Sequence, residues 1–160
     1  MSLEIRAAAD ADLSAVLNLH AELEEDHRLL SMEQAQTIFE GMKRYPDYTL
    51  YVATWEGVIV GTFTLLIMDG LAHLGSPSGI VEDVVVHANW RGRGIGQRMM
   101  QFAMERCRAR GCYKLALSSK RKREAAHRFY ESLGFQKHGY SFIIELKESN
   151  NERESLDSGA

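Results

Sequence analysis

The sequence predicts a single α+β domain in which helices pack against a mixed β-sheet. Its length of 160 residues suits one domain of ordinary size. Segments with strand and helix periodicity follow the order β-α-α-β-β-β-α-β-α-β, with no internal repeat or dividing linker. Hydrophobic residues make up 45% and charged residues 26%, the balance of a globular protein. We expect residues 1–146 to form the domain and residues 147–160 a polar, disordered tail.

Each predicted element follows from its residue pattern. Strand segments are rich in β-branched and aromatic residues, and we predict them at residues 3–6, 48–54, 58–68, 80–87, 113–117 and 140–146. Helices repeat apolar residues at helical spacing, and we predict them after residues 10–12, over 32–43, after the glycine-rich segment 91–96 and over 124–133. The stripe of the first helix comprises Leu13, Val16, Leu17, His20 and Leu23.

Local signals mark where several elements begin and end. The carboxylates of Asp10 and Asp12 are predicted to cap the first helix. Ser31 and Gln34 have the spacing of a capping box before the second helix. The pair Glu56-Gly57 predicts a tight turn, so the strands on either side of it should be antiparallel neighbours.

The bulk chemistry excludes several classes of function. A net charge of −3 gives no global attraction to nucleic acid or to an anionic membrane. The apolar runs fall far short of the roughly 20 residues that span a bilayer. Cys107 and Cys112 lack the paired spacing of a zinc site, and the first residues lack a signal-peptide pattern. We therefore expect a cytoplasmic protein without a metal.

The most informative segment joins the fourth strand to the following helix. Unpaired N–H groups in the first helical turn, glycines and two arginines together predict an anion site that suits a pyrophosphate. The residues of this site are Arg91, Gly92, Arg93, Gly94, Ile95 and Gly96. Their spacing is neither GxGxxG nor GxxxxGK[ST], which disfavours NAD and nucleoside triphosphates.

Two motifs in this chain resemble those of one enzyme family. Arg91-x-x-Gly94-x-Gly96 is similar to the acyl-CoA signature of the GNAT superfamily of N-acetyltransferases, and residues 128–135 are similar to its second signature. The resemblance covers residues 3–146 and implies a three-layer α-β-α fold whose mostly antiparallel sheet is splayed between its fourth and fifth strands. It also implies acetyl-CoA as co-substrate, with pantetheine in the splay beside the backbone of Val84, Val85 and Val86.

Within that family, residues 79–86 and 111–115 are most similar to glucosamine-phosphate N-acetyltransferases. The similarity implies that His73 lies on the substrate side and that a homodimer builds the acceptor site. Where that subgroup has an acidic residue after the fifth strand, this chain has Ser118, which we expect beside the substrate. Glu145 replaces a phosphate-binding arginine, and both departures argue against a phosphorylated sugar.

Acyl transfer to an amine needs a proton acceptor for the amine and a proton donor for the departing thiolate. The resemblance implies that Tyr130 is the general acid; the alternative is an aromatic anchor on an amphipathic helix. Glu82 is the candidate base and Asp83 the candidate substrate ligand; the alternative for both is an anchor to a neighbouring turn. Strand alternation would send these two carboxylates to opposite faces.

Several functions remain open at this point. The basic run 120–123 precedes a helix, and we expect Arg123 and Arg128 to contact the CoA 3′-phosphate while the rest of the run is solvated. The first hypothesis is acetyl transfer to a small primary amine, such as an amino sugar, aminoglycoside, polyamine or amino acid. The alternatives are a protein N-acetyltransferase and a CoA-binding regulatory domain without turnover.

Overall fold

Five strands form one mixed sheet in the first of two units into which the chain divides, residues 1–119 and 120–160. The computed structural model describes residues 2–24 and 26–147. The strands are β1 (Leu3–Ala7), β2 (Tyr48–Trp55), β3 (Val58–Met68), β4 (Ser78–Val86) and β5 (Lys114–Ala116). The helices are α1 (Leu13–His20), α2 (Met32–Met42) and α3 (Ile95–Ala109) in the first unit and α4 (Glu124–Ser132) in the second.

The strands lie in sequence order across the sheet. Neighbouring strands are antiparallel except β4 and β5, which are parallel. The pairing of β4 with β5 covers only Ser78 to Ile80. Beyond Ile80, no strand among the described residues pairs with this edge of β4. The predicted splay between the fourth and fifth strands is therefore confirmed.

Helices cover both faces of this sheet. On one face, α1 and α2 pack against β2 in a buried core of Leu13, Val16, Phe39, Leu50 and Val52. On the other face, the ring of Phe102 in α3 lies 5.0 Å from that of Tyr51 and 6.4 Å from that of Phe63, measured between centroids. Successive side chains of a strand point to opposite faces. The predicted three-layer arrangement is therefore present in the first unit.

Two of the predicted local signals are confirmed and one is wrong. The Ser31 hydroxyl accepts the Gln34 N–H at 3.2 Å, and the Gln34 side chain accepts the Ser31 N–H at 3.2 Å. The hairpin turn falls at residues 56–57 as predicted. Asp12, however, does not cap α1, because its carboxylate accepts the N–H of Ala9 at 2.7 Å and the guanidinium of Arg6 at 2.6 and 3.0 Å.

Two strand predictions require correction. The fifth strand is shorter than predicted, since it covers only Lys114–Ala116 and the exposed Tyr113 lies outside it. Residues 140–146 form no strand, although their sequence has strand character. A strand needs a partner for its backbone N–H and C=O groups, and no described residue supplies one there. Of the predicted tail, only Lys147 lies within the described residues.

Gly79 allows β4 to approach α3 closely. A Cβ atom at this position would overlap the Cys107 Sγ and lie 3.2 Å from the Leu115 Cδ1. We expect Gly79→Ala to lower the free energy of unfolding by about 1–3 kcal/mol, the usual cost of overpacking a core. Urea denaturation measures this. The matched control is Gly41→Ala in α2, where a Cβ meets nothing within 4 Å and should be neutral or stabilising. Equal effects of both substitutions would contradict this packing.

The ion pair of Arg6 and Asp12 makes the free energy of unfolding depend on pH. Hydrogen bonds from Arg6 lower the pKa of Asp12 below its ordinary value of 3.8. The carboxylate therefore stabilises the fold above pH ~4, and this contribution is lost as the pH falls through the lowered pKa. We expect Asp12→Asn to cost about 1–2 kcal/mol at pH 7, discounted for the partial exposure of Arg6, and to weaken the acid dependence. Urea midpoints of both proteins at pH 7 and pH 3 test this, and parallel losses would oppose it.

Candidate functional site

Strand β4 carries an irregularity at its middle. Thr64 of β3 pairs with Glu82, and Thr62 pairs with Val85, so Asp83 and Val84 together stand against one residue of β3. Such a bulge interrupts the alternation of side chains. Asp83 has a φ of 52°, in the left-handed region that residues other than glycine rarely adopt. The bulge therefore removes the basis of the prediction that strict alternation sends Glu82 and Asp83 to opposite faces.

Both carboxylates of this bulge act on the same phenol. The pKa of Tyr48 is raised, first by burial and then by the charges of Asp83 and Glu82, whose side chains are exposed. Tyr48 begins β2 and also lines a cavity of about 540 Å³. The other lining residues are Ile38, Gly41, Met42, Arg44 and Tyr45. Tyr48 therefore lines a cavity of small-molecule size and is also influenced by the charges of the two carboxylates.

His20 is a further polar residue near the two carboxylates, although the sequence analysis places it only on the apolar stripe of α1. Burial lowers the pKa of its imidazole, and the Asp83 carboxylate acts in the opposite direction. The Nε2 atom of His20 is buried and has no hydrogen-bond partner among the described residues. A polar ring on an otherwise apolar helical stripe was the one signal that could have drawn attention to it.

Arginines of the glycine-rich loop make contacts within the protein. The guanidinium of Arg91 donates to the Glu22 carboxylate at 2.7 Å and to the backbone carbonyl of Val86 at 3.1 Å. These bonds fasten the turn after α1 to the end of β4. The guanidinium of Arg93 lies over the ring of Trp90, 4.8 Å from its centroid. Contact of either arginine with a pyrophosphate stays a prediction.

The loop leads into α3 with the geometry of an anion site. Gly94 precedes the helix with a φ of 77°, in the left-handed region. The N–H of Arg98 makes the first intrahelical bond, to the Gly94 carbonyl at 3.1 Å. The N–H groups before it lack an intrahelical acceptor and carry the positive end of the helix dipole. They belong to Ile95, Gly96 and Gln97.

The second unit holds the candidate general acid. Tyr130 lies in α4, with its ring 5.2 Å from that of Phe129 and 5.7 Å from that of Phe135. Burial raises its pKa, against an opposing effect of Arg123. At neutral pH the phenol is therefore protonated and can donate a proton. Arg123 and Arg128 have exposed side chains, as a contact with a phosphate requires.

Two residues predicted to contact the substrate, His73 and Ser118, are not bonded to the carboxylates of Glu82 and Asp83 among the described residues. His73 is exposed, has a φ of 52° and stacks on Tyr113 with ring centroids 4.0 Å apart. Ser118 is exposed after β5. Within residues 2–24 and 26–147, no hydrogen bond or ion pair links His73 or Ser118 to Glu82 or Asp83. Their contact with a substrate stays a prediction.

Cys107 is poorly suited to carry an acyl group. Burial, with a smaller contribution from Cys112, raises the pKa of Cys107 to about 12, so its thiolate is scarce at neutral pH.

In the described part of the chain, no group of three or more His, Cys, Asp or Glu side chains could hold a metal ion. No helix there is long and apolar enough to cross a membrane.

Comparisons with known proteins agree on one family. The sequence profile of the acetyltransferase (GNAT) family matches residues 14–135. Glucosamine 6-phosphate N-acetyltransferase of Trypanosoma brucei brucei is 34% identical over 148 residues, 91% of this chain and 97% of that protein. Aminoalkylphosphonate N-acetyltransferase of Salmonella typhimurium is 29% identical, over 89% and 91% of the two chains. The solved structure of an acetyltransferase from Trypanosoma brucei aligns with a TM-score of 0.79 at 33% identity, over 91% of this chain and 100% of that chain. The chain therefore belongs to the acetyltransferase (GNAT) family and is an N-acetyltransferase.

Proposed function

We propose that the protein transfers the acetyl group of acetyl-CoA directly to the primary amine of a small molecule that also carries a phosphate or phosphonate group. The observation that carries this proposal is the bulge in β4, which presents the exposed carboxylates of Glu82 and Asp83 on a strand whose far edge is unpaired beyond Ile80 among the described residues. A primary amine is the complementary group for such carboxylates, and the free strand edge suits the amides of pantetheine.

The CoA half of the proposed site follows β4 into α3. Pantetheine enters the splay and pairs with backbone groups of residues 84–86. The pyrophosphate lies against the N–H groups that begin α3, which favour an anion through their free donors and through the helix dipole. The contact of the 3′-phosphate with Arg123 and Arg128 is part of the proposal and rests on the resemblance together with their exposure.

The acceptor half supplies both charges that a phosphorylated amine needs. The amine lies at the carboxylates of Glu82 and Asp83, and the anionic group lies in the cavity of about 540 Å³, whose lining residues include Arg44. The names of two relatives support this class, because they act on glucosamine 6-phosphate and on aminoalkylphosphonates. The argument against phosphate from Glu145 loses force, since this residue lies in no strand and Arg44 offers another cation.

The proposed reaction needs no acyl-enzyme. Glu82 accepts a proton from the amine, directly or through water, and the neutral nitrogen attacks the thioester carbon. The tetrahedral intermediate collapses with breakage of the C–S bond, and the phenol of Tyr130 protonates the CoA thiolate. The second proton, which the nitrogen loses as the amide forms, restores the Tyr130 phenol. General acid–base groups of this kind contribute about 10²–10⁴-fold to a rate.

We also propose that the enzyme acts in the cytoplasm as a homodimer. Light scattering on a size-exclusion column tests the dimer.

The first test measures thiol release from acetyl-CoA with glucosamine 6-phosphate, an aminoalkylphosphonate and phosphate-free amines. We expect release that depends on the acceptor, and a loss of about 10²-fold in kcat for Tyr130→Phe and for Glu82→Gln. Tyr140→Phe is the matched control, because Tyr140 is 84% exposed, and should retain full activity. Binding of CoA without thiol release on any amine would instead favour the regulatory alternative.

A second test distinguishes a specific effect of the glycine-rich loop on CoA binding from the general effect of backbone strain on stability. Gly94 and Gly57 have φ values of 77° and 81°, and a Cβ at either position meets nothing within 4 Å. Alanine at each should therefore cost a similar ~1–2 kcal/mol of stability. We expect only Gly94→Ala to weaken CoA binding, by about tenfold in calorimetry, because the loop must shift. Equal CoA affinity of the two variants would remove the loop from the proposed site.

A further inference from the structure

The two cysteines of the chain meet where α3 ends. The N–H of Cys112 donates to the carbonyl oxygen of Cys107 at 2.9 Å. One residue earlier, the N–H of Gly111 donates to the carbonyl oxygen of Arg108 at 3.0 Å, and Gly111 has a φ of 74°, in the left-handed region. This combination is a Schellman turn, in which the side chains of its first and last residues commonly pack together. The turn therefore brings two thiols to one place.

The backbone spacing of the two cysteines fits a disulfide. With standard bond lengths, the bond of 2.9 Å between the Cys112 N–H and the Cys107 carbonyl keeps the two Cα atoms within about 6.8 Å. Disulfides span Cα separations of about 4.4–6.8 Å. The pKa of Cys107 is raised by burial, by the charge of Cys112 and by a hydrogen bond with the Cys112 side chain, which agrees with thiols in contact. The turn thus meets the backbone requirement for joining the two sulfurs.

The two sulfurs differ in their access to solvent. Cys107 is 4% exposed, and its Sγ occupies the space that a Cβ of Gly79 would fill. Cys112 is only half-buried. The N–H of Tyr113 donates to the Pro77 carbonyl at 3.0 Å, so the segment that follows Cys112 is held beside the start of β4. An oxidant from solution therefore reaches Cys112 first, while Cys107 is fixed next to it.

We propose that Cys112 is a site of reversible oxidation by peroxide and that Cys107 is its resolving thiol. This inference goes beyond the proposed function, because neither thiol takes part in the acetyl transfer. Within the described residues, no group of three or more His, Cys, Asp or Glu side chains gives the pair a metal-binding role instead. Disulfides in a cytoplasm are mostly transient and redox-sensing, so the reduced pair is the resting state.

The oxidation has two steps. The Cys112 thiolate attacks hydrogen peroxide, the S–O bond forms while the O–O bond breaks, and the released hydroxide takes up a proton and becomes water. The sulfur is oxidised to a sulfenic acid and the peroxide is reduced. The Cys107 sulfur then attacks the Cys112 sulfur, the S–S bond forms, the S–O bond breaks, and the Cys107 proton leaves with the hydroxide as a second water. A thiol reductant restores both thiols.

The second step protects Cys112 from further oxidation. A sulfenic acid that meets more peroxide becomes a sulfinic acid, which a thiol reductant does not reverse. Burial makes the Cys107 thiolate scarce at neutral pH, so its attack is slower than that of an ordinary thiol. The turn offsets this disadvantage because it holds the two sulfurs together, and a reaction within one chain needs no encounter.

Peptide mapping by mass spectrometry tests the pair in the folded, full-length chain. The protein is exposed to hydrogen peroxide and then unfolded in iodoacetamide, and trypsin separates the two cysteines by cleavage at Arg108 and Arg110. We expect the loss of both alkylation sites, a link between the two peptides of one chain, and recovery of both sites after dithiothreitol. A disulfide between two chains, a sulfinic acid at Cys112 beside a free Cys107, or two free thiols would each overturn the inference.

Two variants distinguish capture by Cys107 from oxidation of Cys112 alone. In Cys107→Ala we expect a sulfenic acid at Cys112, which dimedone traps and which more peroxide oxidises irreversibly. Cys112→Ser is the matched control, and its buried Cys107 should remain free for alkylation after the same exposure. Equal irreversible oxidation of Cys112 in the wild type and in Cys107→Ala would overturn the role of Cys107. The wild-type map decides the question by itself if the alanine variant does not fold.

Discussion

Strand β4 pairs with two neighbouring strands that run in opposite directions, and the rest of the site depends on this pairing. It is antiparallel to β3 along most of its length and parallel to β5 for three residues only. Past Ile80, its backbone groups on the β5 side have no strand partner among the described residues. Backbone polar groups require partners, so this edge is suited to a ligand that carries amides.

The bulge at Asp83 has two consequences for β4, one for the direction of its side chains and one for its backbone. The extra residue disturbs the alternation of the strand, so neighbouring carboxylates need not face opposite sides of the sheet. A left-handed backbone at a residue other than glycine costs about 1–3 kcal/mol and persists only where the surroundings enforce it. Here the neighbouring turn is itself fastened to the end of β4 through Arg91. Such strain is concentrated at functional sites in proteins.

Periodicity and turn chemistry were enough to predict most of the fold. The capping box at Ser31, the hairpin at residues 56–57 and the glycine-rich entry to α3 are local patterns, and each was found where the sequence indicates it. The strand expected at residues 140–146 was wrong because a strand depends on a partner as well as on its own pattern. Pairing is a tertiary property that no single segment reveals.

The candidate site was less accessible to prediction for the same reason. The pair of Arg91 and Glu22 joins residues 69 positions apart, and no local pattern indicates that this arginine is bonded within the protein. The register shift beside Asp83 depends on the hydrogen bonding of β3, and the environment of His20 depends on how α1 lies on the sheet. Motif spacing identifies residue types, whereas bonding partners and burial follow from packing.

The segment 140–146 has a practical consequence for handling the protein. Its large apolar side chains at Tyr140, Phe142, Ile143, Ile144 and Leu146 are each more than 80% exposed. An exposed run of this kind, with strand character and one charge, favours intermolecular association. The small net charge of −3 gives only weak repulsion between molecules. The colloidal stability of concentrated solutions should therefore be limited by this short segment, and raising the pH should improve solubility.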